Sequence, residues 1–107
     1  MNKEQIMALS EKELLDRAGA LLGKADAYTT SMAAAWELVE FLQRELGAEV
    51  AIQRGPVGTV WTVLFALRVK HAEEEEPYPF FLAQEKTAPL AITRAFVLMM
   101  EGLNESE

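Results

Sequence analysis

The sharpest pattern along the chain lies in residues 59–69, TVWTVLFALRV, the longest stretch rich in β-branched and aromatic residues. Its odd positions Trp61, Val63, Phe65, Leu67 and Val69 are all apolar, whereas Val60, Thr62, Leu64, Ala66 and Arg68 begin apolar and end charged. Side chains alternate between the two faces of a strand, so this segment predicts a central strand with one buried face and one partly covered, and it calls for cover on both sides. Upstream, Val50 and Ile52 alternate with Glu49, Ala51 and Gln53, a half-buried strand over 49–54. Gly55-Pro56-Val57-Gly58 turns it into the central strand as a hairpin, and residues 80–84 predict a third, short strand.

Helical spacing brackets these strands. Ser10 with Glu13 three residues on is a capping box, Leu14, Leu15, Ala18, Leu21 and Leu22 fall on one face, and Gly23 ends the helix. A second helix starts at Thr30 or Ser31 and runs to Leu46, with Gly47 as its stop. Met32, Ala35, Trp36, Leu38, Val39, Leu42 and Leu46 share a broad arc, which assigns Trp36 to the core. Phe41 lies off that arc, either exposed or touching another chain. A last helix starts around Thr87-Ala88-Pro89 and ends at Glu101 before Gly102. It is apolar almost all round, Arg94 and Glu101 making its charged stripe, so it either sits inside the domain or forms a subunit contact.

The order α-α-β-β-β-α predicts an α+β fold, a three-stranded antiparallel sheet flanked by helices. One domain over 1–107 is expected, with an N-terminal helical segment at 1–23 and a core at 28–102.

Composition narrows the function. Half of the 107 residues are hydrophobic and a quarter charged, as in globular proteins, and there is no long apolar run. A soluble, cytoplasmic protein with no membrane association is the expectation. The absence of cysteine removes disulfides, thiolate metal sites and cysteine nucleophiles. A net charge of −7 argues against sequence-independent binding of a nucleic-acid polymer, which depends on clustered Lys and Arg, but leaves room for a small anion held by a few local donors. His71 has no serine–acid partner pattern, and there is no phosphate-binding glycine loop, so no enzymatic activity, metal or cofactor is expected. The run EEEE at 73–76, followed by Pro77-Tyr78-Pro79, reads as a solvated acidic loop rather than a cation site.

Two stretches carry a resemblance. YTTSMAAAWELVEFLQ at 28–43 and EKTAPLAITRAFVLMMEG at 85–102, with a tryptophan-bearing strand between them, resemble the phage ABA-sandwich domain family. The matching signatures are the Tyr-Thr-Thr-Ser entry into an Ala-Ala-Ala-Trp-Glu helix and the Thr-Ala-Pro-x-Ala-Ile-x-Arg-Ala helix. They cover about a third of the chain. The resemblance implies a small phage or prophage protein, again with a three-stranded antiparallel sheet flanked by helices, and carries no assigned chemistry.

The candidate binding residues are cations and a ring. Arg94 stands among apolar neighbours on the last helix, either as a ligand donor or in an internal pair with a glutamate. Arg54 and Lys86 add positive charge, Thr87 a hydroxyl at a helix start, and Trp61 a stacking face. By analogy with small phage proteins that sequester the nucleotide signals of bacterial immunity, these residues suggest a homo-oligomeric sponge for a nucleotide-like anion, a cyclic nucleotide or an ADP-ribose derivative, held without cleavage. The alternative is a protein-interaction module, a phage accessory protein or an inhibitor of a host protein, docking through its acidic surface, with residues 73–76 and Phe41 as the contact.

Overall fold

The computed structural model describes residues 2–55, 60–67 and 80–105, the backbone alone for 103–105. Its elements are α1 (Lys3–Met7), α2 (Glu11–Leu22), α3 (Met32–Leu46), β1 (Ala48–Arg54), β2 (Trp61–Leu67), β3 (Phe80–Glu85) and α4 (Ala88–Glu105). The fold is α+β, as expected, with a short helix added at the start.

Local chemistry sets the helix ends. Ser10 accepts from the Glu13 amide at 3.2 Å while Glu13 accepts from the Ser10 amide at 3.0 Å, closing the capping box of α2. These bonds hold the Glu13 carboxyl below its ordinary pKa. Asn2 and Gln5 form the same box at the start of α1. Ser31 caps α3. Gly23 and Gly47 close α2 and α3 in the left-handed conformation, with φ of 81° and 64°, where a side chain would be strained.

The sheet is antiparallel in the order β1-β2-β3, and its register sorts side chains by face. The rows Val50–Phe65–Phe81 and Ile52–Val63–Ala83 point one way, and Ala51–Leu64–Leu82 and Glu49–Ala66–Phe80 the other. Val63, Phe65 and Ala83 are buried under α4, whereas Glu49, Ala51, Phe80 and Leu82 are exposed. Cover on both faces was expected; among the described residues the helices all gather on one.

The reason is the last helix. α4 lies on β2 and β3 with one side, and α1, α2 and α3 pack around its other sides, so every residue from Ala91 to Met99 is buried. It is a central helix inside one chain, and its apolar circumference needs no second subunit. Phe96 meets Phe41 edge to face, centroids 6.1 Å apart. This contact turns α3 so that Ala34, Ala35, Leu38, Val39 and Leu42 are buried, a stripe rotated by roughly 50° from the expected arc. Trp36, expected in the core, is 39% exposed, and Phe41, left off the arc, is half-buried.

α4 also runs through its expected stop. Gly102 is helical, and a Cβ there would lie 2.5 Å from the Phe81 ring, so the missing side chain accommodates that ring instead of ending the helix.

Candidate functional site

Register brings the sequence-predicted residues to one end of the sheet. Arg54, Trp61 and Glu85 form one row across the three strands on the helix-covered face. The Arg54 guanidinium lies 5.9 Å from the centre of the Trp61 ring, a cation–π contact. Trp61 is half-buried against the core, and Arg54 is exposed. Lys86 and Thr87 follow Glu85 directly, both exposed, and the Thr87 carbonyl accepts from Ala91, which puts Thr87 at the cap of α4. Arg68, Lys70, His71, the acidic run at 73–76 and Tyr78 lie outside the described residues.

Arg94 is the member whose chemistry is already committed. It is 6% exposed, and its Nε donates to the Glu85 carboxylate. Nη1 faces the backbone carbonyls of Ile6, Met7 and Leu9 at 2.8, 3.2 and 3.1 Å. These carbonyls lie at the end of α1 and in the turn to α2, where a helix C-terminus leaves carbonyls short of partners; that of Ile6 also accepts from the Leu9 amide at 3.2 Å. The internal pair with a glutamate is therefore what the fold shows, and Arg94 joins β3, α4 and the α1–α2 turn.

Other polar side chains are likewise engaged. Tyr28, fully buried, donates to the Lys24 carbonyl at 2.5 Å, and burial raises its phenol pKa. Thr93 Oγ1 lies 2.8 Å from the carbonyls of both Tyr28 and Pro89 and shares its single proton between them, tying the entry of α3 to α4. Arg17 pairs with the buried Glu101, Nε to Oε1 at 2.7 Å. A groove of about 420 Å³ between α2 and α3 has Phe41 in its wall, but its Lys24 and Glu37 bond each other at 3.2 Å and its Arg44 bonds Glu45.

The opposite side of β3 differs. Among the described residues no strand pairs with it there, and it exposes Phe80 at 62% and Leu82 at 42%. Beside it, between α1 and the end of α4, lies a pocket of about 200 Å³ lined by Phe80, Phe81 and Leu82 together with Lys3, Ile6, Leu98 and Gly102. Among the described residues its lining is mostly apolar, with Lys3 the one charged wall. The pair Phe80-Phe81 at the head of the third strand was the available signal. Neighbours on a strand point to opposite faces, so two adjacent rings cannot both enter one core.

Comparison with protein-family models, with curated proteins and with solved structures returns no match. No described helix is long and apolar enough to cross a membrane.

Proposed function

We propose that this chain is a non-catalytic protein-interaction module whose partner docks on the β3 side of the sheet. The observation that carries this is the exposure of Phe80 and Leu82 beside a preformed apolar pocket, while Arg94, the most buried cation among the described residues, is held by internal partners. Exposed apolar groups of this size, grouped and next to a concavity, are what a partner can remove from water. The contact thus differs from the acidic surface expected from the sequence.

The test is site-specific photo-crosslinking in producing cells with the reactive residue at position 80, against a control at Gln43 on the exposed side of α3. A discrete adduct from position 80 alone supports the reading. Equal smears from both positions, or none, refute it.

A second reading keeps the phage-type sponge for a nucleotide-like anion. One observation favours it: Arg54, Trp61, Lys86 and Thr87 come together at one end of the sheet. In this reading they form the ligand contacts and Arg94 only braces Glu85 behind them. Calorimetry with a panel of cyclic dinucleotides and ADP-ribose tests it, and binding unchanged in Arg54→Ala would remove it.

A further inference from the structure

We infer that the pocket beside β3 receives one ring-sized side chain of an extended peptide segment from another protein, which adds to β3 as a further strand and directs a carboxylate to Lys3. This rests on the reading of the chain as an interaction module and names the kind of partner segment it takes.

The backbone is the first argument. The outer side of an edge strand presents unpaired N–H and C=O groups, a template for another strand that proteins commonly blunt with charge, proline or bulges. β1, the other edge, carries Glu49, Gln53 and Arg54, all exposed. β3 is bare by comparison: from Phe80 to Ala83 it has no charge and no proline, and its register with β2 runs without a bulge. Strand addition at such an edge takes its affinity from main-chain hydrogen bonds and its selectivity from side-chain pockets.

The pocket supplies the second argument. An apolar cavity of about 150 Å³ is enough to hold a benzene molecule, so the roughly 200 Å³ here suits one aromatic or large aliphatic side chain. Its walls are set before anything binds. Ile6 and Leu98 are almost fully buried, and Gly102 allows the Phe81 ring to lie against α4. A preformed site reduces the ordering cost of association.

Charge supplies the third. Lys3 is exposed, has no ion pair among the described residues, and stands on the pocket wall. It is three residues from Ile6 on α1, so the two side chains are neighbours about 5–6 Å apart. Residues i and i+2 of an extended strand share a face at a spacing of about 6.6 Å. The partner segment therefore carries an acidic residue two positions from its ring or large aliphatic residue. A second copy of this chain fits less well: the one charged residue of β3 is Glu85, already bonded to Arg94, and each copy carries a net −7.

The test uses random heptapeptides displayed on phage and selected on the full chain. The enriched sequence is then synthesised and titrated by calorimetry, with amide exchange recorded along β3. The expected consensus is an aromatic or large aliphatic residue two positions from Asp or Glu, with slowed exchange at 80–85. Lys3→Glu is expected to weaken the peptide about tenfold, and exchanging the peptide's acid for Lys to restore it. Gly102→Ala, which pushes the Phe81 ring into the pocket, should also weaken binding, but Lys3→Glu leaves the core untouched and decides the matter if Gly102→Ala folds poorly. No enriched peptide, bound peptides that leave β3 exchange unchanged, a charge exchange without effect, or self-association that is lost in Phe80→Lys would each overturn the inference. An adduct from position 80 combined with any of these failures leaves the interaction module standing and removes only strand addition.

Discussion

Replacing Arg94 by methionine tests the central joint of the fold. The new side chain fills much of the same volume but leaves the Glu85 carboxylate and the carbonyls of Met7 and Leu9 without their donor, and the Ile6 carbonyl with backbone donors only. Removing one partner of a buried pair costs about 3–5 kcal/mol. The Glu85 side chain keeps 20% of its surface and so retains some hydration, which puts the expected loss near the lower end, about 3 kcal/mol. A domain of 107 residues has about 5–16 kcal/mol in all, so this is a large share. With a urea slope of ~1–2 kcal/mol per molar, the unfolding midpoint should fall by about 1.5–3 M. Native-state amide exchange adds a local readout: α1 is five residues long and buries Ile6 alone, so its amides should lose protection before the rest. Adding Glu85→Gln to the variant should recover part of the loss, because no carboxylate is then stranded. A midpoint within about 0.5 M of the parent, with α1 exchange unchanged, would refute the assignment of Arg94 as the clamp.

Other outcomes follow from single contacts. Gly102→Ala raises helix propensity by up to about 1 kcal/mol, but its Cβ meets the Phe81 ring at 2.5 Å, and overpacking of about 1–3 kcal/mol should win. Calorimetric Tm is therefore expected to fall, and a rise would mean the ring moves freely. Tyr28→Phe deletes the bond to the Lys24 carbonyl and should cost about 1 kcal/mol at neutral pH. The raised phenol pKa is a contribution present below the unfolded pKa and lost as pH rises through the folded one, so the parent should lose stability above about pH 10 and the variant less. The lowered Glu13 pKa has the opposite sign: its contribution is present above the ordinary carboxylate range and disappears as pH falls through the folded value. Glu13→Gln should flatten that acid-side slope in urea titrations from pH 6 to pH 3, and an unchanged slope would count against the capping box.

Much of the fold was legible because its signals are local. Ser10 and Glu13, Ser31, Gly23 and Gly47 mark helix ends through bonds reaching three or four residues, and the alternation in β2 needs no partner to be read. Trp36 and Phe41 misled because the rotation of α3 is decided by Phe96, which is 55 residues from Phe41 and invisible to a helical wheel. Gly102 misled because a stop glycine and a glycine that makes room for a ring look alike until φ is known. The Asn2–Gln5 box was present in the sequence, yet five residues form a helix only when something such as Arg94 holds the far end. Arg54 and Trp61 could be suspected as cations and rings, but their juxtaposition with Glu85 depends on strand register.

The position of α4 in the chain has a consequence for synthesis. Every other described helix and the sheet pack on this segment, yet the ribosome makes it after all of them. At about 5–20 residues per second, the earlier segments wait for seconds with no scaffold to close on, their greasy faces open to chaperones. A nascent chain stalled before residue 88 should remain protease-sensitive throughout, and resistance should appear abruptly once the central segment clears the exit tunnel.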